Sequence, residues 1–345
     1  MRKILLSLAF FTTLYGPSFG LLSAPAMAEE PLVHAIPYLT QRNRTGEATA
    51  GKFYGPKRGT LEAGYCDISK QALSFMAPLA DAAPFHVPEA VLRIEAVRPA
   101  PLDQVLDSLA QSSVGRAPVL YTHGFFVDFE KGCRRASVLK ANASLQGRFI
   151  WFSWPSDGDL LNYTRDEADL SWSVFDLAEV IVMLESRFGA GQIDLMGHSL
   201  GARGLAMAIY DLAAQEQDIQ LGNVILLAPD IDFEVFSRML PRIRQVVRSI
   251  TVYVSDGDRP LALSEQVHGY PRLGQSGNDV GLLAGVQVID LSDLPAQSPT
   301  GHLYHIYNAE VGDDIALKLN EGQDAQARRN LVRSSENLWY LRAKP

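Results

Sequence analysis

Cysteine is scarce: the 345 residues hold 2, Cys66 and Cys133. That excludes a disulfide-dense scaffold and a multi-cysteine zinc site. Basic residues are the minority, 31 Lys and Arg against 39 Asp and Glu, for a formal net charge of −8. A nucleic-acid partner is excluded on that balance, because phosphate contacts need clustered Lys and Arg. Beyond the N-terminal segment no apolar run approaches the ~20 residues a spanning helix needs. No internal repeat and no composition break divides the chain. What is present is apolar mass: 47% of the residues are hydrophobic, which supports a sizeable core and excludes a disordered or collagen-like chain.

Residues 1–28 read as an address. Arg2 and Lys3 form a basic start, Ile4 to Tyr15 is largely apolar, and Ala26-Met27-Ala28 offers small residues at −3 and −1. This is the order of a secretory signal peptide. Thr12, Thr13, Gly16, Pro17 and Ser18 break the apolar run too early for an anchor. The expected product, 29–345, is exported, periplasmic or secreted, with no stable membrane insertion. An oxidising compartment permits a Cys66–Cys133 bridge. Sequence leaves open whether the two pair or stay buried thiols, and oligomeric state is equally unread.

From residue 119 the pattern alternates. Val119–His123, Arg148–Ser153, Ile193–Met196, Val224–Leu227, Ile250–Val254 and Val286–Ile289 read as short buried strands. Helices are expected at 129–145, 200–214, 233–244 and 261–266. A longer one carries Leu170, Val174, Leu177, Ile181, Leu184 and Phe188, spaced along one helical face. Repeated βα units imply an α/β fold with a mainly parallel sheet and helices on both faces. The expected organisation is one domain over 29–320, its N-terminal strands and loops in 29–118 and its βα units in 119–320. Val91–Val97 reads as an edge strand, 40–60 as loop, 267–285 as a Gly-rich loop able to cover a site, and 321–345 as a tail helix packed on the surface.

Gly197-His198-Ser199-Leu200-Gly201 falls between a buried strand and a helix. This G-x-S-x-G pattern is a nucleophile elbow: the turn throws the Ser hydroxyl clear of the sheet edge, and residues flanking it at two places must lack Cβ. The strand ending at His123-Gly124-Phe125-Phe126 places a backbone N–H for an oxyanion hole, Phe125 first and Gly124 as alternative, with Leu200 giving the second N–H. Acid and base follow the nucleophile in order. The base candidates are His268, His302 and His305, with His302 preferred for its Gly-flanked loop after the last strand. The acid candidates are Asp256 and Asp258 after the second strand beyond Ser199, with Asp258 preferred and Asp230 in reserve. Asp230 and Asp232 also fit the cap of the helix at Phe233.

The chain resembles the α/β-hydrolase superfamily, and within it a bacterial family of α/β hydrolases of unknown function related to esterases and lipases. The resemblance rests on Tyr121-Thr122-His123-Gly124-Phe125, Phe152-Ser153-Trp154-Pro155-Ser156, Gly197-His198-Ser199-Leu200-Gly201, Ala228-Pro229-Asp230-Ile231-Asp232, Tyr253-Val254-Ser255-Asp256-Gly257-Asp258-Arg259 and Gly301-His302, with Gly64-Tyr65-Cys66 upstream. It spans about residues 36–320. It implies a triad of Ser199, Asp258 and His302, although this chain has Asp256-Gly257 where the family shows a small residue before the acid. It supplies no substrate.

The implied activity is cleavage of a small-molecule or lipid-like carboxylic ester through an acyl-enzyme, with no cofactor and no metal. Two alternatives share the fold: a non-catalytic binding protein, and an acyltransferase using the same triad. His302-x-x-His305 as a metal pair lacks an H-E-x-x-H context. Phe125, Phe126, Phe129, Trp151, Phe152 and Trp154 read either as an acyl pocket or as core.

Overall fold

The computed structural model describes residues 34–70, 88–215, 218–295 and 297–343. The leader expected at 1–28 lies outside the described residues.

The chain begins with three strands: β1 (His34–Arg44), β2 (Tyr54–Lys70) and β3 (Leu92–Ala100). They pair antiparallel, β1 with β2 and β2 with β3. Most of the segment expected as loop at 40–60 is therefore strand, with only the turn between Arg44 and Tyr54 irregular. Its polar residues misled because they bond inside the fold: Thr40 donates to the Ser153 carbonyl at 2.9 Å, and Arg42 is buried. Then come α1 (Leu102–Ser113), β4 (Val119–Thr122), α2 (Phe129–Asn142), β5 (Phe149–Ser153), α3 (Tyr163–Phe188), β6 (Asp194–His198), α4 (Leu200–Ala214), β7 (Leu221–Leu227), α5 (Phe233–Val246), β8 (Val247–Val254), α6 (Arg259–His268), β9 (Val286–Asp290), α7 (Tyr304–Tyr307) and α8 (Ala309–Glu321). Two short strands, β10 (Leu331–Arg333) and β11 (Leu338–Leu341), finish the chain.

One sheet runs β10-β11-β9-β8-β7-β6-β4-β5-β1-β2-β3. From β11 to β1 every pairing is parallel. The central strands β4, β5, β6 and β7 are buried at every residue because both faces are covered. Leu120, Leu195, Leu226 and Val252 face α3, α4 and α5, against Leu177, Ile181, Leu205 and Phe236. Tyr121, Met196, Ile225 and Tyr253 face α2 and α8, against Phe129, Leu139, Val311 and Ile315. The stripe expected on α3 is buried from Leu170 to Leu184. Each such side chain contributes roughly 1.5–3 kcal/mol by leaving water.

The tail corrects the expectation of a surface helix. Residues 331–341 form a hairpin whose inner strand adds to the sheet edge, Trp339 opposite Ile289. Trp339 and Leu341 alternate inward with a period of two, which a strand satisfies and a helix does not. Cys66 of β2 and Cys133 of α2 form a disulfide, Cα–Cα 6.7 Å, that fastens the antiparallel edge to the helical layer.

Candidate active site

Ser199 sits where β6 ends and α4 begins, at φ 54° and ψ −124°. A non-glycine residue in that region is strained, and the neighbours hold it there. A Cβ at Gly197 would stand 2.6 Å from the Ala202 Cα, and one at Gly201 would stand 2.7 Å from the Thr122 carbonyl oxygen. Both flanking positions therefore require glycine. The Ser199 N–H donates to the Leu227 carbonyl, and its own carbonyl accepts from Asp230 at 3.2 Å.

The loop after β4 lies against this turn. A Cβ at Gly124 would stand 2.8 Å from that of Ser199. Further along, the N–H of Phe126 donates to Asp166 Oδ2 at 3.4 Å and that of Val127 to Ser156 Oγ at 3.0 Å. The N–H groups of Phe125 and Leu200 have no acceptor among the described residues. Leu200 opens α4, where a first-turn N–H has no intrahelical partner and favours negative charge.

Behind this loop is a polar brace. Arg42 Nε donates to Ser153 Oγ at 2.8 Å, and its other nitrogens donate to the carbonyls of Ser156 (2.5 Å) and Val127 (2.7 Å). Burial draws its guanidinium down to about 10, against the pull of Asp128, Asp166, Asp157 and Asp169, so it stays charged at neutral pH. Ser156 in turn donates to Asp166 Oδ2 at 2.5 Å. His123 stacks on Trp154 at 5.0 Å and donates Nδ1–H to the Gly124 carbonyl. Burial, then Arg42, holds His123 down to about 3, so it is neutral. The Phe-Ser-Trp-Pro-Ser stretch thus shapes the loop that faces Ser199. Sequence reasoning missed Arg42 and Asp166; nothing in their local pattern marks them.

Asp258 ends the turn after β8 and caps α6, accepting from the Leu261 N–H at 3.1 Å. Its two oxygens lie 2.9 and 2.7 Å from His302 Nδ1. The His302 loop is tied down where Arg259 N–H donates to the Thr300 carbonyl. The imidazole of His302 packs against that of His198, the residue before Ser199, with ring centroids 4.6 Å apart.

The other candidates are engaged elsewhere. Asp256 is exposed. Asp230 accepts from Arg272 (2.7 Å), Ser264 (2.6 Å) and Tyr163 (2.6 Å). Arg272 and the two hydroxyls outweigh burial and hold this carboxyl below its usual range. His268 bonds Glu167 and Ser264. His305 is fully buried against His198 at 4.2 Å. The Gly-rich loop 269–285 is stitched between the ends of β7 and β8, Leu273 to Ile231 and Ser255 to Gly274. It supplies Arg272 to Asp230. Of the aromatic set, Phe129, Trp151, Phe152 and Trp154 are core, while Phe125 and Phe126 stay partly exposed and Phe125 meets Tyr163 edge-on at 5.1 Å.

A family model described as an alpha/beta hydrolase of unknown function (DUF900) matches residues 100–319. β1, β2 and the tail hairpin lie outside that range. Among solved structures the chain is similar to a protein from Listeria innocua at 12% identity, covering 66% of this chain and 99% of that one, TM-score 0.40. It is similar to a hyperthermophilic esterase from Pyrobaculum calidifontis at 13% identity, 60% and 77% coverage and TM-score 0.37. A carboxylesterase from Bacillus subtilis is similar at 12% identity, 64% and 98% coverage and TM-score 0.31. Comparison with curated proteins gives no match.

Proposed function

The chain belongs to the alpha/beta hydrolase family of unknown function, and from that premise we propose that it is an exported serine hydrolase acting on carboxylic esters. The observation that carries this is the Asp258–His302 bond beside a strained serine elbow. His302 Nε2 takes the proton from Ser199 Oγ as the oxygen attacks the ester carbonyl. Asp258 fixes the Nδ1–H tautomer and stabilises the imidazolium. The N–H groups of Phe125 and Leu200 receive the developing oxyanion, a term worth several kcal/mol of barrier. His302 then protonates the leaving alcohol. Water enters by the reverse route and frees the acid.

Phe125 and Phe126 are half-buried on the loop that faces Ser199, with Tyr163 edge-on to Phe125, and this apolar surface favours esters with an apolar or lipid-like part. Export is supported by the residue order of 1–28 and by the Cys66–Cys133 bridge, since structural disulfides are characteristic of oxidising compartments. The test is turnover of an ester panel by purified 29–345, with products identified in the presence of an added alcohol. Free acid as the main product supports hydrolysis, and transfer to the alcohol replaces this reading with an acyltransferase. No turnover beside a labelled Ser199 contradicts the ester assignment alone.

A further inference from the structure

Besides His123 in the brace, two buried imidazoles take no part in this chemistry. His198 occupies the variable position of the elbow and is 4% exposed; His305 is fully buried. His198 Nε2–H donates to the backbone carbonyl of His302 at 3.1 Å. A carbonyl only accepts, so this bond puts a proton on His198 Nε2, and burial beside His305 and His302 disfavours a second proton on Nδ1. His198 thus links the nucleophile turn to the loop that carries the base by a hydrogen bond to the backbone, beside its ring contact with His302. The ring of His305 packs against it, 4.2 Å away, with neither ring nitrogen bonded among the described residues.

We propose that His198 is a positioning residue, a neutral strut between the elbow and the His302 loop, held upright by the ring of His305. The proposal rests on the Ser199–His302–Asp258 reading. Without the strut, the side chain of His302 keeps its bond to Asp258, and its loop keeps the Arg259–Thr300 bond and the local bonds of Gly301 to Ser298 and of His302 N–H to Thr300 Oγ1. Proton transfer from Ser199 demands placement within fractions of an ångström, so a slackened loop lowers rate before it lowers binding.

The strut works only while uncharged, because an imidazolium there would face the His302 imidazolium formed during reaction. The groups facing the pair are His302 on its loop, Asp258 beyond His302, Arg135 on α2, Tyr304 beside His305 and Tyr121 on β4. Burial, then the neighbouring imidazoles, then Arg135, all disfavour the proton on His198 and His305. Arg135 itself is paired with Glu89 at 3.2 Å.

The experiment compares fluorophosphonate labelling rates of wild type, His198→Phe and His198→Gln, with thermal unfolding as a control for folding. Phe keeps the ring and loses the donor; Gln returns a donor nitrogen near the place of Nε2. The expected result is a labelling rate at least tenfold lower for Phe, most of it regained by Gln, with both variants folded. Equal rates for wild type and Phe, or Gln no better than Phe, overturn the proposal. Histidine-15N NMR on Ser199→Ala decides independently of catalysis. His198 should remain the neutral Nε2–H form from about pH 5 to 8; a titration of His198 in that window overturns the strut. A wild type that takes no label contradicts the hydrolase reading, and the NMR result still decides the strut.

Discussion

Arg42 lies outside the family-matched range, yet it is the piece on which the loop facing Ser199 leans. Arg42→Met keeps the length of the apolar stem and deletes the guanidinium. Four acceptors then lose their donor in a buried place: Ser153 Oγ, the Ser156 and Val127 carbonyls and, at a longer 3.5 Å, His123 Nε2. Each orphaned buried acceptor costs about 1–3 kcal/mol. Recovering the desolvation of the guanidinium offsets part of that, leaving an expected loss of about 3 kcal/mol. Arg42→Lys keeps the charge but offers one nitrogen in place of a planar fork, and reaches only some of these oxygens. It is expected to fall between Met and wild type. The assay is urea unfolding. With a slope of about 3 kcal/mol per molar at this size, the midpoint of Met should drop by about 1 M. The fluorophosphonate labelling rate should fall as well, because Val127 closes the loop that carries Phe125. A Met midpoint within about 0.2 M of wild type would refute the brace.

Asp166 supplies a pH signature. Burial outweighs its bonds from Ser156, Asp157 and Phe126 and raises it to about 6, against ~3.9 unfolded. The folded state therefore binds the proton more tightly, so its contribution is present at low pH and is lost as pH rises through 6. Between about pH 4 and 8, wild type should lose roughly 2–3 kcal/mol of stability that Asp166→Asn retains; parallel denaturation curves would exclude the shift. Cys133→Ala opens a bridge spanning 67 residues and should cost about 4 kcal/mol in oxidised protein, with no difference after reduction of both. Gly201→Ala drives a methyl into the Thr122 and His123 carbonyls and should cost about 3 kcal/mol and most labelling of Ser199; a soluble, fully labelled variant contradicts the packing of the elbow.

The βα core is legible in the sequence because both periodicities are strong there. The α3 stripe and the apolar strands each admit one solution when helices must cover both faces. The elbow glycines are legible for the same kind of reason, since steric exclusion acts between near neighbours. Asp258 and His302 are legible by their order along parallel strands that share an edge, and the structure brings these two together while engaging Asp230 with Arg272. What escapes is non-local. The β1–β2 hairpin looks like loop because Thr40 and Arg42 are polar, and their partners lie more than a hundred residues away. The tail looks like a helix because a few apolar residues fit either period, and only the open sheet edge at β9 decides for a strand. Likewise, nothing in the elbow motif assigns His198 a task, and the carbonyl it bonds lies more than a hundred residues away.

All the chemistry proposed for this site depends on Ser199 being an activated nucleophile. Intact-mass analysis of 29–345 after fluorophosphonate treatment, beside Ser199→Ala and Asp258→Asn, tests it most directly. One adduct on wild type, none on Ser199→Ala and labelling of Asp258→Asn slowed by roughly a thousandfold or more is the predicted result. A folded wild type that takes no adduct, or a Ser199→Ala variant that takes the same one, contradicts it.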